Sequence, residues 1–213
     1  MTDRQTMTGF LLVGALLSLL FLFSLFLEGN SRDIWLEEDG VIESATAWGY
    51  FVCVAFMIYK GKLSYLKRHH DLFLLIVFFM LRELDFDKKF TTIGLLKIQF
   101  FISNRVPLVE KTIGAIFVLS LVYVVFSILY RYSRDFWVGL KNHSIVSLGA
   151  LIVVIFLVVS KSLDGISRKL SEFGIEIGDR ASMHASAVEE ILELGIPMIL
   201  LLTLIAYFKR NKV

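Results

Sequence analysis

Residues 72–89 read LFLLIVFFMLRELDFDKK. Ten apolar residues, Leu72 to Leu81, are followed at once by Arg82, Glu83, Asp85, Asp87, Lys88 and Lys89. At about 1.5 Å of rise per residue the apolar run covers about 15 Å, half of the roughly 30 Å hydrocarbon layer of a bilayer. If the run opens a membrane crossing, Arg82 and Glu83 lie near the midplane. On the insertion scale a central Arg or Asp costs about 2.5 to 3.5 kcal/mol, whereas each Leu, Ile, Phe or Val returns about 0.3 to 0.6 kcal/mol. The charges from Arg82 to Asp87 then cost roughly 10 kcal/mol unpaired, against about 3 to 5 kcal/mol gained from the apolar run. A lone helix facing lipid is excluded. The segment needs partners inside a bundle, a water-filled cavity, or a break into a half-helix.

The rest of the chain supplies the bundle. Of 213 residues 56% are hydrophobic and 20% charged, whereas soluble domains run about 45 to 50% apolar and about 25% charged. That balance excludes a soluble enzyme and predicts an all-α polytopic membrane protein, folded as a single helical domain over 1–213. Phe10 to Leu27, Thr112 to Tyr130 and Ser144 to Ser160 carry no charge, and Val41 to Tyr59 carries only Glu43. A last crossing ends at Phe208 and reaches about 20 residues only by starting near Glu189. With the segment from Leu72, about six crossings are expected. Phe10 to Leu27 is longer than a signal-peptide core and is followed by Glu28-Gly29-Asn30, so it reads as a retained span. Cys53 is the single cysteine, which excludes an internal disulfide.

Orientation follows from charge. With both termini inside, Arg4, Lys60, Lys62, Lys67, Arg68, Arg131, Arg134, Lys141, Lys209, Arg210 and Lys212 fall in short inner segments, as cations do beside span ends. Asp3, Asp71 and Asp135 are the inner acids; the other 17 of 20 lie outside or in outer halves of spans. The inner face then carries 11−3, or +8, and the outer face 11−17, or −6. This arrangement is N-in, C-in, in a membrane expected to be the inner membrane of a bacterial cell. Tyr59, Tyr130, Tyr132, Trp137 and Tyr207 would form the inner aromatic belt.

Two outer segments carry a pattern. In Lys161 to Ser186, Leu163, Ile166, Leu170, Phe173 and Ile177 recur at spacings of three and four, which predicts an amphipathic helix lying on the outer surface. Phe90 to Ser103 is either interfacial or re-entrant.

The residues able to accompany Arg82 are carboxylates at the outer side. Glu43 enters the second span, and Glu190 and Glu193 enter the last one three residues apart, on adjoining faces. Arg82 stays protonated when buried, and its planar fork fits carboxylates. Glu43, Arg82, Glu83, Asp85, Glu190 and Glu193 are therefore the candidate ion or proton site. For Glu189 a structural alternative exists, because Ser186-Ala187-Val188-Glu189 fits a capping box at a helix start. His69 and His70 follow Lys67-Arg68 and read as a solvated basic interface. His184 is the histidine of the acidic side and, with Glu193, the candidate metal ligand pair.

H-E-x-x-H, G-x-S-x-G and Walker sequences are missing, and no organic cofactor is expected. Nucleic-acid binding is excluded, because the inner positive charge is spread over short loops and is accounted for by topology. The leading expectation is a channel, transport or sensing module with a carboxylate/arginine site open to the extracytoplasmic side. The alternatives are a membrane-embedded enzyme acting on a lipid or lipid-linked substrate, and a membrane subunit of a stress-response or phage-defence complex. The partners expected are the lipid bilayer, further copies of the chain in a homo-oligomer, and a cytoplasmic protein docked on the basic inner loops.

Overall fold

Apolar runs of the lengths above leave the backbone one economical choice in lipid, which is to satisfy its own hydrogen bonds as helix. The computed structural model describes residues 2–27, 34–36, 40–86, 98–103 and 106–211. Among these every regular element is a helix: α1 (Asp3–Ser24), α2 (Val41–Arg68), α3 (His70–Glu83), α4 (Ile98–Ile102), α5 (Leu108–Lys141), α6 (Ile145–Leu163), α7 (Ile166–Ser171) and α8 (Asp179–Asn211). Five of them, α1, α2, α5, α6 and α8, are long and apolar enough to cross a membrane. Hydroxyls inside these helices bond back to their own backbone. Ser18 donates to the Gly14 carbonyl, Thr46 to Ile42, Ser120 to Ile116 and Thr203 to Ile199. Such bonds let polar side chains sit in an apolar segment without a tertiary partner.

The last helix is the hub. On one side Ala187, Ile191, Ile199 and Ala206 pack with Phe10, Val13 and Leu17 of α1 and Ile145 of α6. On the other, Ile196, Leu204 and Phe208 pack with Tyr50, Cys53, Val54 and Met57 of α2 and Ile76 of α3. Small residues set the approach, as in membrane bundles generally. A Cβ on Gly149 of α6 would strike Thr203 Oγ1 and come within 2.8 Å of Phe10, and one on Gly49 of α2 would lie 2.8 Å from the Pro197 ring. α5 stands apart, burying only Gly114 and Val124. Its long apolar sides, with Ile113, Ile116, Leu119, Val122 and Phe126 exposed, are not covered by other described residues.

Three expectations change. The segment from Leu72 becomes a helix of 14 residues ending at Glu83, about 21 Å long; Leu84 and Asp85 turn the chain, Asp85 with φ of 47°. The amphipathic helix expected across Leu163 to Ile177 is divided. α6 runs on to Leu163, Gly165 takes a left-handed φ of 57°, α7 lasts six residues and Gly174 turns with φ of 75°. The apolar spacing is present, but two glycines in left-handed geometry interrupt the helix it belongs to. The last helix starts at Asp179 rather than near Glu189, so Ser186 to Glu189 are interior positions and cap nothing. Of Phe90 to Ser103, residues 90–97 lie outside the described residues, as does Asp87; Ile98–Ile102 is a short helix.

Candidate functional site

Arg82 and Glu83 occupy the last turn of α3, and α3 packs between α2 and α5. Glu193 lies on α8, four residues before Pro197. Proline has no N–H to offer the Glu193 carbonyl, so the helical ladder is interrupted just below this carboxylate. Arg82 Nη2 donates to Glu193 Oε1 at 2.9 Å, and its Nη1 lies 3.7 Å from Glu83 Oε1. The guanidinium is thus divided between two carboxylates rather than held bidentately by one. Lys161, at the end of α6, brings its Nζ to 3.6 Å from the same Glu193 Oε1 and to 2.9 Å from Asp164 Oδ2.

Burial is asymmetric. The Glu83 and Glu193 side chains are 5% and 6% exposed, whereas those of Arg82 and Lys161 are 39% and 44% exposed. Two cations therefore reach inward from the periphery to carboxylates set in the bundle. Glu43 acts electrostatically on Glu83 and Glu190, and Glu189 and Glu190 are within the same field. Among the described residues Glu83, Glu189, Glu190 and Glu193 share this field with the cations Arg82 and Lys161. Asp164, in the turn after α6, is held below the usual carboxylate value chiefly by the hydrogen bond from Lys161.

Of the residues read from sequence, Arg82, Glu83 and Glu193 are in direct reach of one another, with Glu43 and Glu190 in the surrounding field. Asp85 is half-buried in the turn beyond α3. His184 is exposed and nine residues before Glu193 on α8, about 13 Å of rise away, too far for both to hold one metal ion. Among the described residues no three His, Cys, Asp or Glu side chains are grouped to hold a metal.

Sequence reading missed Lys161, Tyr50 and a second polar knot at the other end of α3. Tyr50 of α2 is 1% exposed and packs its ring 5.7 Å from that of Phe79, one turn before Glu83. It lies within the fields of Glu83, Glu193 and Arg82. At this second knot Asp71 is fully buried and accepts from Leu72 N–H at 2.9 Å, Ser127 at 3.0 Å, Arg131 at 3.0 Å and Tyr132 at 3.1 Å. Since the Tyr132 hydroxyl gives its proton to Asp71, it accepts from His69 Nδ1 at 2.8 Å, which fixes the His69 tautomer. The His69 ring also packs at a tilt against Tyr65, 4.4 Å between centroids. It is half-buried, not the solvated residue that its basic neighbours suggest, and burial lowers its pKa below 6.5. The signal for this knot was Asp71 itself, an acid directly preceding ten apolar residues.

No protein-family model, curated protein or solved structure matches this chain.

Proposed function

We propose that the chain is an integral membrane module of the channel, transport or sensing kind, with Arg82, Glu83 and Glu193 at the heart of a cation or proton site open to the extracytoplasmic side. The observation carrying this reading is one guanidinium shared between Glu83 and Glu193, whose side chains are almost wholly buried. Carboxylates set this deep in a medium of low dielectric need cations or protons beside them.

The reading includes N-in, C-in topology, and helix register supports a common depth. Glu43 is 17 residues from Lys60, Glu193 is 17 from Arg210, and Lys161 is 16 from Ile145. Each interval corresponds to about 24 to 26 Å above the basic inner ends. Arg82, 12 residues above His70, starts at about 18 Å and extends its side chain upward. The site then belongs in the outer leaflet, and α3 is a partial crossing that completes six with the five long helices. The broken 163–178 segment caps the same side. The uncovered apolar sides of α1 and α5 suit lipid and a second copy of the chain in a homo-oligomer, in a bacterial inner membrane.

Flux of protons and monovalent cations into reconstituted vesicles tests the proposal. Glu83→Gln is expected to abolish the dependence of flux on outer pH or cation concentration. Unchanged flux in this variant overturns the reading, and turnover of a lipid without ion flux moves the site to the enzyme alternative.

A further inference from the structure

We propose that the exposed face of α5 and the cations at the α2–α3 turn form a seat for one anionic phospholipid, its acyl chains along Leu119, Tyr123, Phe126 and Tyr130 and its phosphate beside Arg68, Arg131 and Arg134. The seat goes beyond the ion site. It requires only that α5 crosses the membrane, and it holds in either orientation.

Residues three and four apart share a helix face. Leu119, Tyr123, Phe126 and Tyr130 make such a row, and all four are exposed. Arg134 and Trp137 prolong it and are exposed as well. The uncharged run Thr112 to Tyr130 corresponds to about 28 Å of helix, close to the thickness of the hydrocarbon layer. Arg131 and Arg134, which follow it, therefore stand at headgroup depth, with Trp137 as an interfacial aromatic.

Hydrogen bonds draw the end of α2 to this level of α5. Arg131 Nη2 donates to the Arg68 carbonyl at 2.8 Å and Nη1 to Asp71 at 3.0 Å, which leaves donors of the same guanidinium for a further acceptor. His70 Nδ1 lies 3.3 Å from the Lys67 carbonyl and Nε2 lies 3.4 Å from the Tyr123 hydroxyl, with the two rings nearly parallel at 18°. Arg68 and Arg131 both act electrostatically on His69, so the two cations flank one turn. The Arg68 and Arg134 side chains are exposed and form no hydrogen bond or ion pair with a described residue. Within 67–71 and 131–135 the cations Lys67, Arg68, Arg131 and Arg134 face the acids Asp71 and Asp135, which leaves 4−2, or +2.

An apolar row that ends in guanidinium groups with spare donors has the shape and charge of an amphiphile with a phosphate at its polar end. Guanidinium takes phosphate oxygens in a planar fork, and basic groups between helices at the headgroup level hold anionic lipid. An acidic protein meets the cations but leaves the row in the hydrocarbon uncovered. A second copy, threaded in the same direction and paired through this face, sets like charges against each other. A phosphatidylcholine carries its own ammonium beside the phosphate, whereas a glycerol headgroup brings no competing cation.

The full chain in mild non-ionic detergent, titrated with dioleoylphosphatidylglycerol, dioleoylphosphatidylcholine or inorganic phosphate, tests the seat, with bound molecules counted by native mass spectrometry. One phosphatidylglycerol per chain is expected to be held about tenfold more tightly than phosphatidylcholine, and phosphate alone not to be held. Arg68→Gln and Arg134→Gln are each expected to weaken this binding about fivefold. Arg180→Gln removes the same charge from the first turn of α8, about 40 Å along the helix from Tyr207, the neighbour of His69, and is expected to leave it unchanged. Phosphate held as tightly as the lipid makes this a free-anion site and overturns the proposal. Equal binding of the two lipids, or an equal loss with Arg180→Gln, overturns it in favour of diffuse attraction. Binding indifferent to both Arg68→Gln and Arg134→Gln overturns it and leaves these cations to an acidic protein.

Discussion

Arg82 does two things at once: it stabilises Glu193 through a 2.9 Å hydrogen bond and leaves Glu83 with a looser 3.7 Å approach. Removing one partner of a fully buried ion pair costs about 3 to 5 kcal/mol; with Arg82 39% exposed, Arg82→Met is expected to cost about 2 to 3 kcal/mol. Lys161→Met removes a longer and more exposed contact and is expected to cost less than about 1 kcal/mol. Thermal unfolding in a mild detergent compares the two variants, and equal losses contradict the central place given to Arg82. Arg82 and Glu83 were legible in the sequence because ions directly after ten apolar residues violate the cost of inserting charge. Tyr50 was not, since one tyrosine within an apolar helix carries no pattern. The same is true of Ser127, Arg131 and Tyr132, whose partner Asp71 is about 60 residues away and is found only by packing α3 on α5.

At the scale of the element, α3 is a short helix tied at both ends by carboxylates, Asp71 to α5 and Glu83 beside the α8 pair. Its first tie begins at the His69 turn, seven residues after α2 departs from helical geometry at Lys62, where φ is 53°. Burial lowers the His69 pKa, outweighing the opposite pull of Asp71, so the unfolded chain takes up this proton first as pH falls. Stability from His69 is therefore full above pH 6.5 and is lost as pH drops through the lowered folded value. Unfolding followed from pH 7.5 to pH 5 is expected to show this loss, and His69→Gln to flatten that part of the profile. A profile that His69→Gln leaves unaltered contradicts the assignment. Long uncharged runs made the spans legible, but helix ends were not. α8 begins ten residues earlier than Glu189 because Asp179, Arg180, Ala181 and Ser182 continue a helix that an apolarity window does not register. The 163–177 segment kept its spacing and lost its continuity to Gly165 and Gly174.

At the scale of the molecule, α8 threads the bundle with apolar partners on two sides and bears its acids near one end, while α5 remains almost uncovered. An all-helical membrane class was legible from composition alone, because 56% apolar residues in long runs admit few other solutions. Which helix lies at the middle was not legible, since α1, α5, α6 and α8 are comparably apolar, and only close approach at Gly49 and Gly149 selects α8. The whole proposal depends on where the Arg82–Glu193 contact lies relative to the lipid. An experimental structure in lipid nanodiscs, with headgroups resolved, measures that depth directly. The expected result is the contact beneath the outer headgroups, enclosed by α2, α3, α6 and α8; Arg82 and Glu193 standing above the headgroups in bulk water would contradict it.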